Sequence, residues 1–491
     1  MRARAKQGRR KIAPAAISAR LNSHFTLEAQ ADGSVAACME SYSVGLGKFS
    51  AAAIDRARDL CSTGLALDSF SPKGNKVAKE VDLLVRRLAE RGLLEYRLGH
   101  LQADEDKVVI EPQTPDYWPQ ASKLGDSDTI VLSRFAYLRR RGNDMVLESP
   151  RAGALFRISD PDIAAAVTIL STPQKISRFR KQQSFPGPTL LGLLLDCQIV
   201  FGIDAAQAGV LRQAEGDDGL VTWDFHDLLF HTHSTEGRHA NPIGGLYPYA
   251  GAIAPPPALR PRWPGKRIDL RKHSTETGAT TSPVAKLLRE RHSVRDFDEV
   301  HPITLAELSR FLDGAARVQS RWTSDLDLGD GTLAIEYTSR PYPAAGSAYE
   351  LELYLTAGNC EGLTRGFYHY DADRHALVAI DASPQDIDAM LAAAEFAMDA
   401  AGPPQILITI AARFPRISWK YSAIAYSLIL RDVGALLQTL YLMATDLKLG
   451  GCAVGTSNIE LFAKMTGIDF HVEGPVGQFA LGRGIVQAAT G

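Results

Sequence analysis

Cysteine is scarce in this 491-residue sequence: Cys38, Cys61, Cys197, Cys360 and Cys452 are scattered and odd in number. None forms a CxxC pair, and a reducing cytoplasm fits best. Charge imbalance is also lacking. The 54 Lys and Arg against 56 Asp and Glu leave a formal net charge of -2, so the chain as a whole makes no electrostatic case for nucleic acid or an acidic membrane. No run of about 18 uncharged apolar residues occurs, and no transmembrane helix is expected. A GxGxxG fingerprint for tight dinucleotide binding is absent. His226, His231, His233 and His239 lack the spacing of a helical ligand pair and have no cysteine nearby; they read as solvated or packing side chains, and no metal is expected.

What is present is a composition of ordinary soluble type, 45% hydrophobic and 22% charged. The length asks for two to four domains. Arg2, Arg4, Lys6, Arg9, Arg10, Lys11 and Arg20 precede the first acid, Glu28, with no apolar stretch behind them. That excludes a secretory signal and leaves a solvated tail, with an organelle transit peptide as the alternative.

The first half reads as two small α+β modules that look like diverged copies. Val77, Val81, Leu84, Val85 and Leu88 keep the helical period from Asn75, and Gly92 supplies a carboxyl cap before Leu93-Leu94. Helix, glycine, then a strand is the order of a winged-helix unit. In the second module, 128–135 and 144–149 read as strands around Arg141-Gly142-Asn143. Asp160-Pro161 opens a helix at 162–170, and 189–200 reads as another. The basic clusters Arg139-Arg140-Arg141 and Arg178, Arg180, Lys181 are interrupted by acids, so an extended peptide along a strand edge suits these modules better than DNA. The expected division is 1–115, 116–250, a linker at 251–281 rich in turn formers, and an α+β domain at 282–491. Trp223 to His231 is aromatic enough to pack on a neighbouring domain.

In the last domain, helices are expected at 283–291, 304–313, 384–400 and 419–448, and strands at 350–357, 367–370 and 405–412. Three fragments carry chemistry. In Arg291-His292-Ser293-Val294-Arg295, an extended backbone points Arg291, Ser293 and Arg295 the same way, as two guanidinium forks and a hydroxyl suited to phosphate; the alternative is an exposed basic turn. Ser339-Arg340-Pro341-Tyr342-Pro343-Ala344-Ala345-Gly346-Ser347 is a proline-stiffened loop of small residues that lets backbone approach a flat ligand. Leu449-Gly450-Gly451-Cys452 and Leu481-Gly482-Arg483-Gly484 offer glycines, as helix caps or as close-approach points, around Arg483. Lys420-Tyr421 stands at the mouth of the long helix, either as two proton-transfer groups or as a snorkelling lysine beside a packing tyrosine. That helix looks apolar nearly all round and therefore buried on all sides, as in the centre of a dimer or a monomeric core.

The order and spacing of these fragments resemble the nitroreductase-type flavoproteins and, more narrowly, the SagB-type dehydrogenases, azoline oxidases that act on ribosomally made peptides. Leu132 to Arg141, Trp223 to His231 and Tyr426 to Gly434 carry the narrower likeness. The resemblance implies flavin mononucleotide (FMN) at a homodimer interface. Arg291, Ser293, Arg295 and Arg483 would hold its phosphate and ribityl chain, Pro343, Ala344, Ala345 and Gly346 would lie against the ring, and Gly450 and Gly451 would approach it. Ala344 departs from the serine many relatives carry. Lys420 and Tyr421 match the family's catalytic pair, with Lys420 as a base desolvated in an apolar pocket. An azoline-bearing precursor peptide, a cyclodehydratase partner and reoxidation by oxygen are implied with it. An NAD(P)H-dependent reductase of nitro compounds or quinones and a non-catalytic peptide-binding scaffold are the competing readings.

Overall fold

A computed structural model describes residues 16–485, except 40–41, 71–73, 100–105, 115–116, 182–186, 204–217, 239–244, 246, 261, 263, 271–281 and 330. The basic residues at 2–11, His239 and much of the linker lie outside the described residues. The chain forms two compact units. One holds residues up to Val221 with Leu228–His233 and Gly237–Ala240; the other holds Thr222–Asp227, Ser234–Glu236 and the chain from Asn241.

The amino-terminal unit repeats one order of elements. Strand β1 (Ala16–Leu21) is followed by a meander β2 (Thr26–Ala29), β3 (Ser34–Met39) and β4 (Tyr42–Lys48), then α1 (Ala51–Ala57), β5 (Leu65–Ala66), α2 (Lys76–Ala89) and β6 (Leu94–Gly99). After β7 (Val108–Pro112) the series recurs: β8 (Thr129–Leu132), meander β9 (Tyr137–Arg141), β10 (Asp144–Glu148) and β11 (Ala154–Ile158), then α3 (Pro161–Thr168), β12 (Gln174–Lys175), α4 (Pro188–Asp196) and β13 (Val200–Gly202). The pairing repeats as well, β5-β1-β6 in the first copy and β12-β8-β13 in the second. Even single bonds correspond. Asn22 N–H donates to Leu93 O and Ser133 N–H to Ile199 O, each at 2.9 Å.

Strand β7 joins β6 to β11, so one seven-stranded sheet, β5-β1-β6-β7-β11-β10-β9, runs through both copies. One apolar core follows it, including Val85, Leu88, Tyr96, Ile110, Phe156, Val167 and Leu194. The expected pairing around Gly142 needs correction. Strand β10 pairs with β9 across that turn, while β8 belongs to the separate sheet. The helix expected over 189–200 ends at Asp196, and its last residues are strand. Both copies leave their second helix through a left-handed residue, Gly92 (φ +64°) in one and Gln198 (φ +56°) in the other. A side chain there costs about 1–2 kcal/mol. Gln198→Gly should therefore raise stability by about 1 kcal/mol, because glycine's own entropic cost offsets part of the gain. Urea unfolding measures it.

The second unit is built on an antiparallel sheet in the order β18-β17-β16-β19-β21-β20. Its helices start on signals the sequence carries. Helix α5 (Phe225–His233) has its residues from Leu228 onward in the first unit; in the second, α6 (Pro283–Glu290) is capped by Ser282 and α7 (Leu305–Ala316) opens on a Thr304–Glu307 capping box. An exposed hairpin, β14 (Ser320–Asp327) and β15 (Thr332–Ser339), follows, with Trp322 stacked on Tyr337 at 5.7 Å. Strands β16 (Leu351–Ala357), β17 (Gly366–Asp371) and β18 (Ala376–Ile380) lead to α8 (Pro384–Met398) and β19 (Ile406–Arg413). The chain ends with α9 (Phe414–Ser418), α10 (Ala425–Asp446), β20 (Gly450–Val454), α11 (Ile459–Thr466) and β21 (Glu473–Gly482).

Helices α8 and α11 bury Ile387, Met390, Phe462 and Met465 against Tyr354, Phe367 and Leu407. On β21, Phe479 stacks on Phe311 of α7 and meets Tyr441 of α10 edge-on at 5.0 Å. Trp223 packs on Phe414 (4.5 Å) and donates its indole N–H to His471 O at 2.7 Å.

The long helix differs from its expectation in two ways. It is broken, because α9 ends at Ser418 and α10 begins at Ala425, with Ala423 left-handed between them (φ +58°). It is also buried on one face, through Tyr426, Ile429, Asp432, Val433, Leu436, Leu440 and Ala444, while Ser427, Arg431 and Gln438 on the opposite side are exposed. By length and composition α10 would pass for a membrane span. Here its buried face packs on α7, β20 and β21.

Candidate functional site

The first cluster forms where 291–298 runs alongside the ends of β20 and β21. Val294 N–H donates to Gly451 O at 2.9 Å and Asp298 N–H to Arg483 O at 2.8 Å. The extended backbone brings Arg291 and Ser293 to one side chain, Tyr441 of α10. The Ser293 hydroxyl lies 2.9 Å from the Tyr441 hydroxyl, and the Arg291 guanidinium sits 4.9 Å from the ring centre. The Tyr441 oxygen also accepts the Ala453 N–H at 2.8 Å. Ser293, Arg295, Tyr441, Lys448, Gly450 and Gly451 line a cleft of about 920 Å³. A hydroxyl and cationic side chains over bare backbone suit a phosphorylated ligand.

Tyr441 was invisible to motif reading, since a tyrosine in an apolar helix reads as core. Tyr441→Phe leaves the Ala453 N–H without its acceptor. It should lower stability by about 1–3 kcal/mol in chemical denaturation.

Two expectations about this cluster are corrected. A Cβ on Gly450 would lie 2.7 Å from Val294 Cγ1, and one on Gly451 2.4 Å from Phe479 Cζ. These glycines admit neighbouring protein side chains as well as facing the cleft, and they belong to a strand rather than a helix end. The Arg483 guanidinium is engaged elsewhere. Its Nη2 reaches both Glu307 oxygens at 2.9 and 2.8 Å, and Nε donates to His301 O at 3.1 Å. Burial opposes ionisation of Glu307, but the Thr304 N–H and Arg483 outweigh it and hold the carboxyl below its usual range. Arg483 thus ties the end of β21 to α7.

The second cluster is the loop before β16. Pro343 is exposed, and Ala345–Ser347 make a single tight turn with Gly346 at φ +53°. Lys420 Nζ donates to Gly346 O at 3.1 Å, and the Tyr421 hydroxyl closes on the same glycine. A Cβ there would meet that hydroxyl at 2.3 Å and Lys420 Nζ at 2.6 Å. The Ala345 N–H donates to Asp432 Oδ2 at 2.8 Å. Lys420 also lies 5.4 Å from the Tyr337 ring centre and 5.5 Å from that of Tyr421.

Lys420 is exposed, not sunk in an apolar pocket as expected. The reason is the break in the helix: Lys420-Tyr421 occupies the turn between α9 and α10.

Asp432 and Tyr441 anchor the two clusters to one helix, nine residues and about 13 Å apart. The cleft lining includes none of Pro343, Ala344, Ala345, Gly346, Lys420 or Tyr421. Asp432 did carry a signal in the sequence, a carboxyl within an apolar helix, but its partner did not. Among the described residues no group of three or more His, Cys, Asp or Glu could hold a metal ion.

Comparison with known proteins fits both halves. Residues 288–483 match the model of the nitroreductase family, and residues 130–240 match that of the cyanobactin oxidase ThcOx. A Methanocaldococcus jannaschii protein named as a nitroreductase is 32% identical over 169 residues, 34% of this chain and 76% of its own length. Among solved structures, a nitroreductase-named protein from Ralstonia eutropha is similar at 21% identity, covering 43% of this chain and 88% of its own, with a TM-score of 0.32. The E. coli microcin synthetase McbBCD complex with truncated pro-MccB17 is similar at 18% identity, covering 57% of this chain and 99% of that one, with a TM-score of 0.37. With its α+β domain matched along nearly its whole length, the chain belongs to the nitroreductase family and joins that domain to a region of cyanobactin-oxidase type.

Proposed function

We propose that this protein is an FMN-dependent azoline oxidase, converting thiazoline or oxazoline rings of a ribosomally made peptide into azoles. The observation that carries the reading is the joining of a cyanobactin-oxidase region to a nitroreductase domain in which Lys420 and Tyr421 converge on Gly346. The donor set fits the cofactor. Ser293 and Arg295, with Arg291 beside them, would hold the phosphate, and the backbone of Ala344, Ala345 and Gly346 would lie along the ring system. FMN bound there supplies a two-electron acceptor for the hydride that leaves the substrate ring.

Aromatising an azoline also releases a proton. Lys420 is the group placed to take it at Nζ, with the Tyr421 hydroxyl beside it to relay the proton or orient the ring. A docked peptide would cover Lys420 and strip its water, and desolvation favours the neutral amine that a base requires. The amino-terminal unit would hold the peptide as an added strand or dock a cyclodehydratase. A homodimer acting in the cytoplasm completes the proposal, and the exposed face of α10, with Leu430 at its edge, is a surface a second copy could cover.

The test is to purify the full chain, identify FMN released on denaturation, and incubate the protein with an azoline-bearing peptide. Mass spectrometry should show two hydrogens lost per ring. A colourless protein that retains no added FMN, or a peptide of unchanged mass, overturns the proposal. The relative named as a nitroreductase supports a second reading, reduction of small nitro compounds by NAD(P)H. Rapid flavin bleaching by NAD(P)H, small-molecule turnover and no peptide oxidation would select it.

A further inference from the structure

Glu350, the residue before β16, is completely buried, and beyond its own backbone N–H neither of its carboxyl oxygens has a hydrogen-bond donor. It faces the Asp432 carboxyl on α10. Asp432 in turn accepts the Ala345 N–H at 2.8 Å, and the next residue, Gly346, accepts Lys420 Nζ at 3.1 Å. Two ionised carboxylates are both acceptors and can only repel. A proton between them turns the same contact into a hydrogen bond.

The neighbouring charges do not remove the need for that proton. Arg340, buried beside Glu350, donates to Leu351 O at 2.9 Å and faces Glu352 at 3.7 Å. Glu352 is also approached by Arg413 (3.7 Å) and His369 (3.3 Å). Tyr342, fully buried, lies beside both Arg340 and Glu350. On the loop side, the Ala345 N–H is the donor that reaches Asp432.

We infer that Glu350 and Asp432 share a single proton, and that this pair is the positioning element that fixes the loop Ala344–Gly346 and, through it, Lys420. The role of that loop in holding flavin rests on the proposed function; the shared proton does not.

Burial, reinforced by the Asp432 charge, raises Glu350 from 4.5 to about 7. A carboxyl raised on folding holds its proton more tightly in the native chain. Its stabilising contribution is therefore complete below the unfolded value and is lost as pH rises through about 7. In Glu350→Gln the amide donates to Asp432 at every pH. In Asp432→Asn the amide donates to Glu350 while its oxygen still accepts the Ala345 N–H.

The experiment follows Tm of the full-length, flavin-free chain from pH 5.5 to 8.5 in wild type, Glu350→Gln and Asp432→Asn, together with FMN affinity by fluorescence titration. Wild type should lose about 5 °C more than either variant across that range, and its FMN affinity should weaken about tenfold while that of the variants stays level. Equal pH slopes in wild type and variants overturn the shared proton. A Tm that responds while FMN affinity ignores the pair overturns its hold on the loop. If one variant does not fold, the other carries the same comparison. Failure to oxidise azolines overturns the proposed function and leaves the Tm comparison untouched.

Discussion

Lys420→Ala should reduce azoline oxidation by about a hundred- to ten-thousand-fold, the usual worth of a positioned acid–base group. FMN binding should change little, because Lys420 does not line the cleft at Ser293 and Arg295. The two readouts separate chemistry from folding and loading. Mass spectrometry counts oxidised rings, and the absorbance of bound FMN reports an intact site. An alanine variant that oxidises peptide at the wild-type rate removes Lys420 from the mechanism. One that loses FMN along with activity makes Lys420 a support of the Gly346 loop, since Lys420 Nζ donates to Gly346 O. Tyr421→Phe keeps the ring and deletes the hydroxyl. Its effect should be smaller if the tyrosine orients substrate and comparable if it relays the proton.

Gly346→Ala carries the second large effect. The position is left-handed (φ +53°), and the added methyl would fall 2.3 Å from the Tyr421 hydroxyl and 2.6 Å from Lys420 Nζ. The backbone term costs about 1–2 kcal/mol. The collisions are with the ends of flexible side chains, so the fold survives by moving both of them. That movement is the functional loss, because displacing a reacting group by about 1 Å is worth roughly a hundredfold in rate. The expected result is a folded protein with slightly lower Tm and kcat down by about two orders of magnitude. A Gly346→Ala enzyme with unchanged kcat would mean that the positions of Lys420 and Tyr421 do not matter.

Several parts of the candidate site were legible because they depend on local rules. Alternation along an extended backbone brought Arg291 and Ser293 to one partner, and a helix preceded them as its period required. Small residues at 344–346 marked a turn, and Gly346 does adopt the conformation glycine permits most cheaply. Helix starts at Asn75, Asp160, Ser282, Thr304 and Ser383 carried capping side chains.

Other parts depend on partners distant in sequence. Arg483 between two glycines looked free for phosphate; Glu307, 176 positions earlier, takes its charge. Gly450 and Gly451 read as points where backbone approaches a ligand, with a helix cap as the alternative for Gly450, but Val294 and Phe479 fill the space their missing side chains leave. Strand β14 of the hairpin is exposed along its whole length, so it has no alternating burial for the sequence to record.

By itself, then, the sequence determined the class of the carboxy-terminal domain, the fragments of the candidate site and the presence of two related modules before it. These follow from residue type and short-range periodicity, which hold before any distant contact forms. Only the tertiary structure decided that the two modules share a sheet and a core, that Lys420 stands exposed in a turn, and that Asp432 meets Glu350 beneath the loop. Those outcomes require side chains from separate elements to compete for the same space and the same protons, and that competition has no counterpart along the chain.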